Sequence, residues 1–248
     1  AEIIEQFLIY YFNKVGEAKK MHFNSYPDEI IECLKPFQEE LNIDLSNFVY
    51  NSDFYQLLIS IRNKEKTLFL KNHIVFFEHE EKKKFTYTNY TQSYFYILRD
   101  PFKIYCESKN NNLSQQEAKN FLLNLDQKPS SEHLVKYNLK HKLEINRMSW
   151  SKNIASWDDQ NVVNTHRGLI IKLEDIFEDP SYYLASIISH INQSGLDIEI
   201  NYDFIEEYSL QFKKNRNVHV NCDISQKEIK SIKRDLSDKL NQYSYTVT

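Results

Sequence analysis

A positively charged side chain directly follows a short apolar stretch near the middle of the chain. Residues 93–98 are mostly apolar and aromatic, which is typical of a strand buried in a parallel sheet, and Arg99 comes next. Pro101 suits the first turn of a following helix. Because open α/β sheets bind phosphate groups at the carboxyl ends of strands, beside helix N-termini, Arg99 is a candidate phosphate ligand. The alternative is a structural pair of Arg99 with Asp100 or with a helix dipole.

A lysine and a histidine stand at the end of another predicted strand. Residues 67–71 form a short apolar stretch that ends in Lys71, and His73 lies two positions later. Imidazole titrates near neutral pH, so His73 is a candidate general base. Lys71 is a compact point charge that suits an anionic group. The alternatives are a structural histidine and a lysine solvated at a strand end.

A basic run follows a predicted helix over residues 203–212. This run contains Lys213, Lys214 and Arg216. Such a cluster could close on the same phosphate group as Arg99, although a run of charges is more often a solvated surface. Both interpretations remain open from the residues alone.

Strands and helices alternate along the chain. Short apolar strands are predicted at residues 67–71, 93–98 and 168–173. The predicted helices cover approximately residues 1–12, 27–41, 52–61, 101–109, 114–125, 130–157, 180–194, 203–212 and 225 onward. Two of them begin with the spacing of a capping box, at Ser114 and Ser225. This alternation predicts an α/β fold with three layers, α/β/α, around a central and mostly parallel sheet, in one domain over residues 1–248.

The composition is that of an ordinary globular domain, with 41% hydrophobic and 27% charged residues. The net charge of -4 argues against a general nucleic-acid binder, and no apolar run is long enough to cross a bilayer. The three cysteines, Cys33, Cys106 and Cys222, are odd in number and widely spaced. They fit neither a zinc site nor a disulfide framework, which favours a reducing, cytoplasmic compartment.

Five segments, in this order, resemble those of the PAPS-dependent sulfotransferases, where PAPS is 3′-phosphoadenosine 5′-phosphosulfate. The similarity covers about residues 67–245. The segments are Lys71-Asn72-His73 at a strand end, Tyr96 to Pro101 with its Arg-Asp-Pro ending, the tryptophans Trp150 and Trp157 seven residues apart, Ile170 to Asp175 followed by Asp179-Pro180, and Phe212 to Asn215. Both tryptophans are expected to pack in the core. The resemblance implies a fold like that of the P-loop nucleotide transferases.

The resemblance also implies an activity and a site. The protein would transfer a sulfuryl group from PAPS to a hydroxyl or amine of a small molecule or carbohydrate, leaving adenosine 3′,5′-bisphosphate. His73 would act as the general base, and Lys71 would stabilise the transferring group. Arg99 would grip the 3′-phosphate in a bidentate manner. The residues implied to complete the nucleotide site are Ser108, Lys213, Lys214 and Arg216.

Some positions depart from the family pattern. The first strand and the phosphosulfate-binding loop of the family are expected immediately before Ala1, because the first predicted helix is similar to the one that follows that loop. Glu107 stands where the family has a serine ligand of the 3′-phosphate, and a carboxylate there would repel the ligand. Ser108 lies one position further and could substitute. Leu173 and Asn215 replace a tyrosine and a glycine of the family.

Two other functions remain open. A non-catalytic homologue would keep the fold and act as a nucleotide-binding or interaction module, which the absent loop, Glu107 and Leu173 favour. A P-loop kinase-like phosphotransferase would need a complete Walker loop and a carboxylate that holds Mg²⁺ at a strand end, and the sequence offers no convincing carboxylate. Glu174 and Asp175 are expected to cap or pair within the structure.

Overall fold

The computed structural model describes residues 2–34, 52–72, 91–110, 113–123, 134–137, 143–146, 149–214 and 224–245. Within these residues the protein is a mixed α/β structure that is mostly helical. The helices are α1 Glu2–Lys14, α2 Tyr26–Leu34, α3 Ser52–Arg62, α4 Pro101–Asn110, α5 Gln115–Leu123, α6 Trp150–Trp157, α7 Gln160–Thr165, α8 Leu173–Glu178, α9 Pro180–Gln193, α10 Tyr202–Lys214, α11 Gln226–Asp235 and α12 Ser237–Gln242. The strands are β1 Met21–Ser25, β2 Thr67–Lys71, β3 Tyr94–Leu98, β4 Leu134–Tyr137, β5 Leu143–Asn146 and β6 Gly168–Lys172.

The described strands form three separate pairs. β1 pairs with β2 in parallel, so that Ser25 lies opposite Lys71 at their carboxyl ends. β3 pairs with β6 in parallel, with Leu98 opposite Lys172. β4 and β5 form an antiparallel pair. The predicted α/β class is therefore confirmed, while the described residues show two-stranded pairs and no large central sheet.

One hydrophobic cluster contacts both parallel pairs. Phe12 of α1 packs against Phe23 of β1 and Phe69 of β2, with ring centroids 6.0 and 5.5 Å apart. The same cluster contains Ile171 of β6 and partly buried Phe95 of β3, together with apolar residues of α9 and α10. Both pairs therefore pack on a single core beneath these three helices.

A second cluster covers the opposite face of β3 and β6. Leu98 is buried in it, and Tyr96 and Ile170 pack against it. Its other members come from α4, α5, α6, α11 and α12. Since successive side chains of a strand point to opposite faces, the continuous apolar runs of β3 and β6 are explained by helices on both sides. Helices thus pack on both faces of this pair.

Close packing fixes the start of the β3–β6 pair. Gly168 lies opposite Tyr94, whose ring occupies the space that a Cβ at position 168 would need. That ring also packs on Trp157, with centroids 4.8 Å apart. A side chain at position 168 would displace Tyr94 from this contact.

Some sequence-based predictions are wrong. A helical stretch is predicted over residues 130–157, with a division near Asn146. Among the described residues it is helical only over Trp150–Trp157, since Leu134–Tyr137 and Leu143–Asn146 form strands. Apolar and polar residues alternate in the second of these segments, which suits a strand, and short apolar runs are ambiguous between the two structures. β1 was not predicted at all.

The cysteines also differ from expectation. Cys106, in α4, is disulfide-bonded, whereas Cys33 has a free thiol. The prediction that the cysteines form no disulfide is therefore wrong for Cys106, since spacing along the chain does not reveal which thiols approach each other. The bond removes the basis on which a reducing compartment was expected. None of the described helices combines the length and apolar content needed to cross a bilayer.

Candidate functional site

The backbone at Arg99 is fixed from two sides at the carboxyl end of β3. The indole N–H of buried Trp150, the first residue of α6, donates to the carbonyl oxygen of Arg99 at 3.1 Å. The carboxylate of Glu174, in α8, accepts from the backbone N–H of Asp100, also at 3.1 Å. The Arg99 side chain therefore extends from a rigid position between two helices.

Local chemistry also explains why α4 begins here. Pro101 occupies the first position of α4, where a missing N–H costs nothing. The Asp100 carboxylate accepts from the backbone N–H of Phe102 at 2.8 Å, which satisfies one of the free donors of the first turn. Burial raises the pKa of Asp100 above its ordinary value, and the nearby Glu174 adds to this shift. Asp100 thus serves the helix start.

Glu107 of α4 is the partner of Arg99. The guanidinium Nη2 of Arg99 donates to a carboxylate oxygen of Glu107, and the two side chains are 37% and 32% exposed. Ser108 is buried, and its hydroxyl donates to the carbonyl oxygen of Ile104 at 2.9 Å, within its own helix. The carboxylate at position 107, and not the hydroxyl at 108, therefore lies beside the guanidinium. Whether Ser108 contacts a nucleotide stays a prediction.

Glu174 and Asp175 make the structural contacts expected of them. Tyr245 donates its hydroxyl hydrogen to Glu174 at 3.1 Å, and Lys172 forms an ion pair with Asp175 at 3.1 Å. The ammonium of Lys172 lies 5.6 Å from the centre of the Tyr245 ring. Burial, followed by the charge of Glu174, raises the pKa of Tyr245, so its phenol stays a hydrogen-bond donor. These contacts join the ends of β3 and β6 to the C-terminal part of the chain.

A cavity of about 310 Å³ opens beside β6. Its lining comes from β6, α8, α9 and the segment after α12, namely Ile170, Ile171, Lys172, Asp175, Tyr183, Gln242, Tyr243 and Ser244. The volume is at the lower end of the range for small-molecule sites. None of the predicted site residues that the structure describes lines this cavity.

Lys71 lies at the end of the other parallel pair. Its ammonium pairs with the carboxylate of Glu5 in α1 at 2.8 Å, and both side chains are about one-third exposed, at 34% and 29%. His73, the predicted general base, lies outside the described residues. The structure therefore gives no distance between Lys71 and His73.

The predicted basic run begins at the end of α10, which packs on α8 through Phe212. Lys213 and Lys214 form the end of α10, while Arg216 lies outside the described residues. The preceding Phe212 is buried, and its ring stacks on Phe177 of α8 with centroids 4.8 Å apart. The end of α10 is thus anchored on the helix that also carries Glu174.

Sequence analysis did not show that the carboxylate of Glu228, part of a predicted capping box, ties α11 to α4. Glu228 accepts a hydrogen bond from the Tyr105 hydroxyl at 2.6 Å and one from Lys109 at 3.2 Å. Its other oxygen accepts from the Ser225 backbone N–H at 2.8 Å, within the predicted capping box. Burial alone would raise the pKa of Glu228, but hydrogen bonds from Ser225, Tyr105 and Lys109 lower it from 4.5 to about 2. The capping-box spacing identified Ser225 and Glu228, whereas no local pattern indicated the partners on α4.

The described residues hold no group of three or more His, Cys, Asp or Glu side chains placed to bind a metal ion. At the carboxyl ends of the described parallel strands, single cations pair with carboxylates: Arg99 with Glu107, Lys71 with Glu5 and Lys172 with Asp175. No family model, curated protein or solved structure shows significant similarity to this chain.

Proposed function

We propose that the protein is a sulfotransferase that moves a sulfuryl group from PAPS to a hydroxyl or amine of a small molecule or carbohydrate. The observation that carries the proposal is the position of Arg99. Its guanidinium is partly exposed at the carboxyl end of a parallel strand, and its backbone is fixed by Trp150 and Glu174. A rigidly placed, accessible guanidinium at such an edge suits a phosphate group.

The proposed architecture is one domain with three layers, in which both parallel pairs belong to one central sheet. Two observations support it. The β1–β2 and β3–β6 pairs pack on the same hydrophobic cluster, and helices cover both faces of β3–β6. Parallel strands with helices on both faces are typical of nucleotide-binding α/β domains.

In the proposed reaction the acceptor oxygen attacks the sulfur of PAPS in line with the bond to the 5′-phosphate. The new O–S bond forms as the S–O bond to the phosphate breaks, and its electron pair stays on the phosphate oxygen. The acceptor proton passes to His73, and adenosine 3′,5′-bisphosphate leaves. Lys71 neutralises charge on the transferring group, for which its ammonium must exchange Glu5 for the substrate.

Nucleotide binding is the first test. Isothermal titration calorimetry with adenosine 3′,5′-bisphosphate compares the wild type with Arg99→Ala and with Arg234→Ala, which removes an exposed arginine of α11. We expect Arg99→Ala to weaken binding by roughly tenfold or more, since a charge-assisted contact is lost, and Arg234→Ala to change it little. Equal affinities of wild type and Arg99→Ala would remove Arg99 from the site.

Catalysis is the second test. A panel of hydroxyl and amine acceptors is screened with labelled PAPS, using the wild type and His73→Ala. We expect His73→Ala to abolish transfer while calorimetry shows nucleotide binding largely unchanged, because a general base acts on the acceptor. Turnover retained in His73→Ala would reject this assignment.

A nucleotide-binding module without catalysis is the second candidate function. This candidate is favoured because both cations predicted for the site are already paired with carboxylates, Arg99 with Glu107 and Lys71 with Glu5. For this candidate, calorimetry would show binding of adenosine 3′,5′-bisphosphate, and no acceptor in the panel would be sulfated. Transfer to any acceptor would exclude it.

A further inference from the structure

Carboxylates lie close to Arg99 and to the backbone that follows it. Glu107 already pairs with the guanidinium, and Glu174 contacts the backbone of Asp100. Lys103 is the other cation whose charge acts on Asp100. The carboxylates of Asp100, Glu107 and Glu174 therefore all lie near the Arg99 side chain or its backbone. A phosphate group brought to this place would add further negative charge.

Glu107 and Arg99 favour different substituents on a sugar. A carboxylate only accepts hydrogen bonds when ionised, so it suits a hydroxyl, whereas a guanidinium only donates and suits a phosphate. Dinucleotide-binding proteins use this difference, with an acidic side chain for a ribose hydroxyl and an arginine for a ribose phosphate. Arg99 and Glu107 present both groups at one partly exposed position.

We propose that Glu107 is a specificity-determining residue for the 3′ position of the nucleotide. The donor site then takes adenosine 5′-phosphosulfate nucleotides whether the 3′ position carries a hydroxyl or a phosphate, with little discrimination between them. This inference rests on the proposed function, because it requires that an adenosine nucleotide binds at Arg99.

The contacts explain why discrimination is weak. A 3′-hydroxyl donates to Glu107 while the Arg99–Glu107 pair stays intact. A 3′-phosphate must take the guanidinium away from Glu107 and then lies beside an unpaired carboxylate. The gain from the arginine–phosphate contact is therefore offset by the loss of the pair and by repulsion between like charges.

The backbone on both sides of the Arg99–Glu107 pair is held by contacts with other helices. The helix that carries Glu107 is held by the contacts of Tyr105 and Lys109 with Glu228, and the backbone of Arg99 is held by Trp150. Both side chains of the pair are about one-third exposed, so a ligand can reach them without opening the core. A fixed backbone with accessible side chains suits a residue that discriminates between ligands.

The experiment measures two affinities for each variant by calorimetry, with adenosine 3′,5′-bisphosphate and adenosine 5′-monophosphate as probes. For the wild type we expect the two dissociation constants to lie within about tenfold of each other. For Glu107→Gln we expect the bisphosphate to bind about tenfold tighter than it binds the wild type, with the monophosphate unchanged or weaker. Asp203→Asn, which removes an exposed carboxylate from α10, controls for net charge and should leave the ratio unchanged.

Three other outcomes would count against the role proposed for Glu107. If the wild type prefers the bisphosphate by more than about a hundredfold and Glu107→Gln keeps that ratio, this inference is wrong and the proposed function stands. If neither nucleotide binds to either variant, both are wrong. If Asp203→Asn changes the ratio as much as Glu107→Gln does, the effect comes from net charge and Glu107 has no specific role.

Discussion

Each parallel strand pair has a contact between a nitrogen-bearing side chain, in or directly after a strand, and a carboxylate of the helix that follows, but the two contacts differ in burial. In the first pair, His22 of β1 contacts Glu29 of α2 at 2.6 Å between Nε2 and Oε2. In the second, Arg99 after β3 contacts Glu107 of α4. The side chain of Glu29 is 2% exposed, whereas that of Glu107 is 32% exposed.

The partners of the two carboxylates differ as well. Glu29 also accepts hydrogen bonds from Asn24 at 2.8 Å and from Asn63 at 3.0 Å, so its oxygens are satisfied by side chains of β1 and the end of α3. Since Phe23 points into the core beneath α1, its neighbours in β1 face the other side, where α2 lies. The Glu29 network therefore fills a polar interior between the strands and helices.

The comparison shows how burial separates a structural contact from one that is accessible from solvent. A buried carboxylate with every donor fixed stabilises the fold and leaves no donor for a ligand. A half-exposed pair contributes little to stability, and its members can exchange partners at small cost. Glu29 is thus expected to matter for folding and Glu107 for binding.

The largest effect is expected for Glu29→Ala. The substitution removes the buried carboxylate that His22, Asn24 and Asn63 share, and we expect a loss of about 3 kcal/mol in the free energy of unfolding, because several hydrogen bonds to a charged acceptor are lost. Urea unfolding at neutral pH measures it. Glu29→Gln keeps one acceptor oxygen and should lose less. A loss below about 1 kcal/mol for Glu29→Ala would show that this network is not structural.

Glu228→Gln is expected to have the next largest effect, about 2 kcal/mol at neutral pH, because hydrogen bonds to a buried charged group are lost. The pKa of Glu228 is lowered by folding, so its contribution is fully present above pH 4.5 and is lost as the pH falls towards about 2. The wild type should therefore lose more stability than Glu228→Gln across that interval.

Urea unfolding at several pH values measures this difference. Glu117→Gln is the matched control, since Glu117 accepts from the Ser114 backbone N–H in a more exposed capping box. Parallel pH profiles for the wild type and Glu228→Gln would contradict the role given to the buried carboxylate.

A smaller effect is expected for Tyr245→Phe, which removes only the hydroxyl that donates to Glu174. We expect a loss of about 1 kcal/mol, typical of a single hydrogen bond, measured by urea unfolding. Tyr182→Phe is the control, because Tyr182 is 62% exposed on α9. If both variants lose the same stability, the Glu174–Tyr245 contact does not help to hold the end of β6.

The smallest effect on stability is expected for Glu107→Ala. Because the Arg99–Glu107 pair is partly exposed, its loss should change the free energy of unfolding by less than about 1 kcal/mol. Thermal and urea unfolding of this variant beside Glu29→Ala test the comparison directly. A loss as large as that of Glu29→Ala would show that the Arg99–Glu107 pair is structural. The distinction between the Glu29 and Glu107 contacts would then disappear.

The sequence by itself determined the local features of this protein. The apolar runs predicted the strands at Thr67–Lys71, Tyr94–Leu98 and Gly168–Lys172, and the serine–glutamate spacing predicted two capping boxes that the structure contains. These features depend on burial and on hydrogen bonds between residues a few positions apart, which a short window of sequence records. The position of Arg99 directly after a strand is a feature of the same kind.

Only the tertiary structure showed which distant residues contact each other. Sequence spacing did not show that Lys71 meets Glu5, that Tyr105 meets Glu228, or that the strands pair two by two. It also gave no sign that Cys106 is disulfide-bonded. Such contacts join residues far apart in the chain, so they depend on how helices and strands pack around a shared core and not on any local pattern. The exposure that distinguishes Glu107 from Glu29 follows from that packing.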